Sequence, residues 1–317
     1  MVKKFSRALA RYVFYVIRWT ISHLPYPLFK LFAGFFVLLS RPLLSKKQKI
    51  AMRNLKIAFG HEYPDEKIEE IYKKCYKTFS QGMIDLIYFI DRPQQIDQKV
   101  TIEGKEHLDS VLSQGKGAIF VSAHFGNFIL MYLRMVQAGY QTNVIMRRTR
   151  DEKWEGYISE FREKRGIKTI YDLPARQCVQ KCLRALRNNE ILFILLDQNY
   201  GGDGRVFVDF FGIKAATATG PVIFSMRTQA PILPIFIMGD GARRCKILIE
   251  PPVAVDQMAN DEETIIHNIQ KITKIIEKYI RERPYEWGGW MHNRWKSKTI
   301  EEQKVIDSVN QFNSQRI

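Results

Sequence analysis

The sequence predicts an α/β fold: a mixed central sheet flanked by helices, preceded by a hydrophobic and basic amino-terminal region. Three observations predict it. Strand-like runs alternate with helical periodicities through residues 100–250, the pattern of a sheet covered on both faces. Ala118-Ile-Phe-Val-Ser122 and Ile191-Leu-Phe-Ile-Leu-Leu196 are almost continuously apolar, as strands buried on both faces must be. Residues 232–238 and 245–249 flank Gly239-Asp-Gly241, a hairpin signal that places one antiparallel pair in the sheet.

Residues 1–45 form the amino-terminal region. From Phe5 to Leu44 aromatic and aliphatic residues are interrupted by Arg11, Arg18, His23, Pro25, Pro27 and Lys30. The uncharged runs fall short of the ~20 residues a membrane-spanning helix needs. An interfacial region fits better, with apolar faces in the headgroup layer and Lys3, Lys4, Arg7, Arg11 and Arg18 at lipid phosphates. A buried helical subdomain and a short, tilted span are the alternatives. There is no secretory cleavage site.

Residues 46–298 form the main domain. A basic cluster, Lys46, Lys47, Lys49, Arg53 and Lys56, shows little strand character. Pro64-Asp-Glu66 opens a helix whose stripe runs through Ile68, Ile71, Tyr72, Cys75 and Phe79 to Met83 and Leu86, proline and acids being favoured in a first turn. Next come a strand at Val100–Gly104, a helix at Glu106–Leu112 and the strand leading to His124. A helix through Ile129, Leu130, Leu133 and Val136 stops near Gly139. A strand at Asn143–Met146, a polar helix at Glu152–Lys164, a strand at Ile167–Ile170 and a helix at Cys178–Leu186 lead to the strand at Ile191. Ile265, Ile269, Ile272, Ile276 and Ile280 form the core stripe of a last helix. Aromatic and cationic residues mix in Trp287–Lys296, and residues 299–317 form a polar tail.

Composition narrows the function. At 46% hydrophobic residues the 317-residue chain is globular, and its net charge of +16 suits an anionic partner: a membrane surface, nucleic acid or an acidic protein. The cations are dispersed and no nucleic-acid-binding motif is present, so nucleic acid is not expected. Four cysteines without zinc spacing point to reduced thiols and no metal site. The turn at residues 201–204 lacks a phosphate-loop or dinucleotide fingerprint, so no cofactor is expected. A serine-hydrolase elbow is also absent.

Three strand ends present polar groups toward one rim: His124, Arg147 with Arg148, and Asp197 with Gln198. Ligand sites of open α/β sheets collect at such ends. His124 is a candidate general base, since imidazole titrates near working pH; the alternative is a histidine bonded to its own turn. Asn127 can bond the His124 ring or cap the following helix.

Together, Arg53-Asn-Leu, Ile102-Glu-Gly104, Gly115-Lys-Gly117, Ser122-Ala-His-Phe-Gly-Asn127, Asp197-Gln198, Phe207-Val-Asp-Phe-Phe-Gly212, Ala215-Ala-Thr-Ala-Thr-Gly220, Pro234-Ile-Phe236, Ile249-Glu-Pro-Pro252 and Trp290–Lys296 resemble the bacterial lipid A late acyltransferases. These are the lauroyl and myristoyl transferases of the wider glycerolipid and lysophospholipid acyltransferase superfamily. The resemblance covers most of the chain. It implies a glycerolipid-acyltransferase-like fold at the cytoplasmic face of a bacterial inner membrane. It implies transfer of a fatty acyl chain from acyl carrier protein or coenzyme A to a hydroxyl of a lipid A precursor or related membrane lipid. His124 matches the family's base. The family's carboxylate, after four intervening residues, is replaced by Ile129. Loss of an orienting carboxylate costs on the order of 10⁴ in rate in serine proteases. Asp197 is the candidate substitute, with a turn cap as its alternative role. Arg147, Arg148, Arg162, Arg165 and Gln198 are candidate substrate-binding residues, the arginines for phosphate or phosphopantetheine, or else part of a solvated basic face. A lipid- or carrier-binding protein with weakened catalysis is the second reading, motivated by Ile129.

Overall fold

The computed structural model describes residues 12, 16, 25–40, 44–89, 92–149, 151–240 and 244–297. Most of the expected amino-terminal region, and the expected polar tail, lie outside them. The first full helix, α1 (Tyr26–Ser40), carries no acid, and Lys30 is its one basic residue. Helix α2 (Ser45–Phe59) arises from the basic cluster. The lysines conceal an apolar spacing at Ala51, Leu55, Ala58 and Phe59, all of which are buried. Helix α3 (Asp65–Phe89) begins at the expected acids and runs for 25 residues.

The order then follows the sequence: β1 (Val100–Glu103), α4 (Lys105–Leu112), β2 (Ala118–Ser122), α5 (Phe128–Gln137), β3 (Thr142–Met146), α6 (Glu152–Lys164), β4 (Ile167–Tyr171), α7 (Ala175–Arg187) and β5 (Ile191–Leu195). After β6 (Arg205–Phe210) come β7 (Ile213–Ala218) and α8 (Gly220–Thr228), which no sequence signal marked. The residues of β7 are mostly small, and neither element carries a long apolar run. The chain then forms β8 (Ile232–Gly239), β9 (Cys245–Ile249) and α9 (Asp261–Glu282).

Seven strands form one sheet in the order β1-β9-β8-β2-β5-β3-β4. Among the described residues β8 and β9 pair antiparallel, as the hairpin signal required, and the other neighbours pair parallel. The sheet is therefore mixed. The β6–β7 hairpin stands apart as its own antiparallel pair. Successive side chains of a strand point to opposite faces, and the core divides accordingly. Ile119, Val121, Leu192 and Ile194 join one buried cluster with Leu55, Phe59, Ile272 and Ile276. Ala118, Phe120, Ile191 and Phe193 join the other with Leu130 and Met131. Helices thus cover both faces, and polar residues at the strand ends are left at the rims.

Candidate active site

The site is built by the register of β2 against β5. Ser122 lies opposite Leu195 across this parallel pair. Parallel strands leave the sheet on the same rim, so His124 and Asp197, each two residues further along, emerge as neighbours. His124 Nδ1 lies 2.8 Å from Asp197 Oδ1. Asp197 is only 1% exposed, and an ionised carboxylate in such a place needs its oxygens satisfied. The second oxygen accepts a 2.7 Å hydrogen bond from Trp287 Nε1–H. Burial alone would raise the Asp197 pKa, but the His124 charge and the His124 and Trp287 hydrogen bonds bring it below the ordinary carboxylate value. For His124, burial pushes the pKa down while Asp197 pushes it up by charge and hydrogen bond, and the net direction is upward.

An ionised carboxylate only accepts, so Nδ1 of a neutral His124 carries the proton and Nε2 presents its lone pair. The Gln198 amide lies across the ring, its nitrogen 3.2 Å from Nε2 and 3.3 Å from Nδ1. Phe128 packs edge-on against the imidazole at 4.9 Å between centroids, and the His292 ring lies at 6.1 Å.

The turn that carries His124 is clamped by the segment after α9. Gly126 N–H donates to Glu286 O at 2.8 Å, and Gly288 N–H donates to His124 O at 2.9 Å. Gly126 has φ +52°, and a Cβ there would meet Ile237 O at 2.1 Å, so the turn closes only with glycine. Arg294 is 1% exposed. Its guanidinium donates to Gln198 O, Ala216 O and Thr217 Oγ1 at 3.0, 2.5 and 2.7 Å, which ties the Asp197–Gln198 loop to β7.

Residues 2–297 match the family described as bacterial lipid A biosynthesis acyltransferase. The chain belongs to this family. The lipid A biosynthesis lauroyltransferase of Escherichia coli K12 is 25% identical over 307 residues, covering 93% of this chain and 96% of that protein. The palmitoleoyltransferase of the same organism is 21% identical over 297 residues, covering 91% and 92%. A phosphatidylinositol mannoside acyltransferase of Mycobacterium tuberculosis is 27% identical over 149 residues, covering 47% and 46%.

Within this acyltransferase family chain, Ile129 sits in the first turn of α5 and packs, half-buried, against the apolar cluster on that face. The carboxylate beside the imidazole comes from the neighbouring strand. Asn127, left open above between ring and cap, is the N-cap of α5. Its Oδ1 accepts from Leu130 N–H at 3.4 Å and its Nδ2 donates to Gly82 O at 2.8 Å. That corrects the reading in which Asn127 bonds the His124 ring, because both ends of the amide are occupied away from the imidazole.

The four arginines divide. Arg147 and Arg148 follow β3 on the His124 rim and are exposed. Arg147 Nε lies 3.7 Å from Asp172, and the Arg148 guanidinium stacks 4.4 Å from the Tyr171 ring centroid. Arg162 lies in the last turn of α6 and Arg165 in the turn between α6 and β4. Arg162 is buried, paired with Glu155 at 3.3 Å and donating to Thr169 Oγ1 at 3.0 Å. Arg165 is half-buried, 5.4 Å from the Phe161 ring centroid. The charge of Arg162 is taken up by Glu155, which corrects its reading as a substrate-binding group, and Arg165 follows the end of α6 at Lys164. Trp287, His292 and Arg294 were not singled out as site residues. Their segment has no helical or strand period, and its density of Trp, Gly and Arg was the available signal.

Proposed function

We propose that the chain transfers a fatty acyl group from an acyl carrier protein or coenzyme A thioester to a hydroxyl of a lipid A precursor or related membrane lipid, with His124 as general base. The observation that carries this reading is the 2.8 Å His124–Asp197 contact. It sets the tautomer that leaves Nε2 free to take a proton and stabilises the imidazolium that results. The acceptor hydroxyl displaces the Gln198 amide from Nε2 and gives up its proton there as its oxygen attacks the thioester carbonyl. The tetrahedral intermediate collapses with cleavage of the carbon–sulfur bond, and the imidazolium returns the proton to the departing thiolate. The amino terminus of α5, immediately after the turn, favours the developing negative charge. The second reading, binding without efficient catalysis, rested on Ile129; the Asp197 geometry favours catalysis.

Membrane contact is supported by α1. Leu28, Leu31, Phe32, Phe35 and Leu38 form one helical stripe, each more than half exposed. On the other face Phe29 stacks on Tyr88 at 5.4 Å, and Tyr26 Oη donates to Asp85 at 2.6 Å. No helix among the described residues is long and apolar enough to cross a membrane. We place the protein on the cytoplasmic face of a bacterial inner membrane, α1 lying in the interface.

Membranes carrying the protein are to be incubated with labelled acyl-carrier protein and a panel of lipid A precursors and lysophospholipids, beside His124→Ala. Product that falls by at least about 10³-fold in the variant is expected. Product that persists in His124→Ala removes the base, and donor or lipid binding without any product favours the second reading.

A further inference from the structure

A cavity of about 670 Å³ opens beside the candidate site, between α1, α3, the β8–β9 hairpin and the turn after His124. Gly126 and Asn127 form part of its wall. Its size falls within the range of small-molecule sites. Five cationic side chains, Lys30, Lys74, Lys77, Lys99 and Arg244, line it against two carboxylates, Asp85 and Glu286. Both carboxylates are engaged. Asp85 lies 3.1 Å from Lys99 with both side chains nearly buried, and it accepts from Tyr26 and Gln81 at 2.6 and 2.8 Å. Glu286 is held by Arg283 at 2.9 Å and by Gly239 N–H at 3.1 Å. Lys74 is paired with Glu70 at 2.7 Å. Lys30, Lys77 and Arg244 make no ion pair among the described residues. They come from three separate parts of the fold and surround one volume.

We propose that this cavity is a phosphate-binding subsite, in which Lys30, Lys77 and Arg244 hold a phosphate group of one of the two substrates while the reacting atoms lie at His124. The inference rests on the acyl-transfer reading for its choice of ligand. Three like charges facing one space repel unless an anion joins them. A phosphate presents several charged oxygens to donors arriving from different directions, which a single carboxylate does not. Gly126 and Asn127, which line the cavity, follow His124 by two and three residues, so a phosphate held there anchors its substrate close to the base. A phosphate monoester on the acceptor lipid and the phosphodiester of a phosphopantetheine thioester both offer this chemistry.

The test uses the full chain and the double variant Lys77→Ala/Arg244→Ala. Binding of inorganic pyrophosphate is measured by calorimetry, beside a charge-matched control, Lys153→Ala/Lys278→Ala, at exposed positions outside the cavity. A loss of roughly tenfold or more in affinity confined to the cavity variant is expected. Equal affinity in wild type and cavity variant, or equal loss in the control, overturns the proposal. Steady-state kinetics then separate the sources, using acceptors with and without phosphate and an acyl N-acetylcysteamine thioester in place of the carrier-protein donor. A rise in KM confined to the phosphorylated acceptor assigns the site to the acceptor, and one confined to the phosphopantetheine donor assigns it to the donor. An unchanged KM for both overturns the proposal. If the wild type acylates no acceptor, the acyl-transfer reading fails, and the calorimetry still decides the cavity.

Discussion

Asp197 is buried, charged and bonded through both oxygens, to His124 on one side and Trp287 on the other. A carboxylate held in this way has little freedom to relax, and it acts on the imidazole by both charge and hydrogen bond. Replacing it by asparagine removes the cause that raises the His124 pKa and leaves the burial that lowers it. The neutral imidazole is the working form of the base, so in the wild type the acidic limb of kcat/KM lies above the ordinary histidine value. In Asp197→Asn that limb moves to lower pH, and kcat falls by about 10³–10⁴. The pH–rate profile of the two proteins checks both statements. A limb that stays in place shows that Asp197 does not govern the base.

Elements position these residues by register and by caps. Parallel pairing of β2 with β5 sets His124 next to Asp197, and Asn127 starts α5 directly after the turn. Asn127→Ala removes an N-cap and the bond to Gly82. The expected loss of stability is about 0.5–2 kcal/mol, read as a lowered denaturation midpoint in urea. The midpoint of the acidic limb stays where it is in the wild type, because the amide does not touch the imidazole. A shifted limb would return Asn127 to the ring.

The molecule as a whole presents a net charge of +16 and an apolar stripe on α1. Leu31 and Phe35 are 76% and 59% exposed and stand outside the two buried clusters of the core. Burying a large apolar side chain in the interface contributes about 1.5–3 kcal/mol. Leu31→Glu/Phe35→Glu is therefore expected to weaken binding to anionic vesicles by 10-fold or more, with an unchanged thermal midpoint. Vesicle sedimentation checks this, and undiminished binding would place the membrane contact elsewhere on the chain. Raising the salt weakens the binding of both proteins, since the cations act through a screened field.

Local pattern alone was enough to establish the alternation of strands and helices, the hairpin at Gly239, the last helix, and His124 at a strand end. Each rests on spacing within one short segment. Family membership was legible for the same reason, as an order of short motifs. Helix α2 was hidden because its lysines outweigh its apolar spacing, β7 because small residues carry no period, and α8 because nine residues are too few to show one. What the tertiary structure decided was partnership. Two continuous apolar strands such as β2 and β5 carry no mark of which neighbour each takes, so the approach of Asp197 to His124 over 73 positions was only a matching of residue types. The same holds for Trp287, 90 positions from the carboxylate it bonds, and for Arg162, whose charge reads as a binding group until Glu155 is seen beside it. Periodicity reports which face of an element is buried, while the chemistry of this site depends on contacts between residues remote in the chain, which come into being only when the sheet and its two layers of helices are assembled.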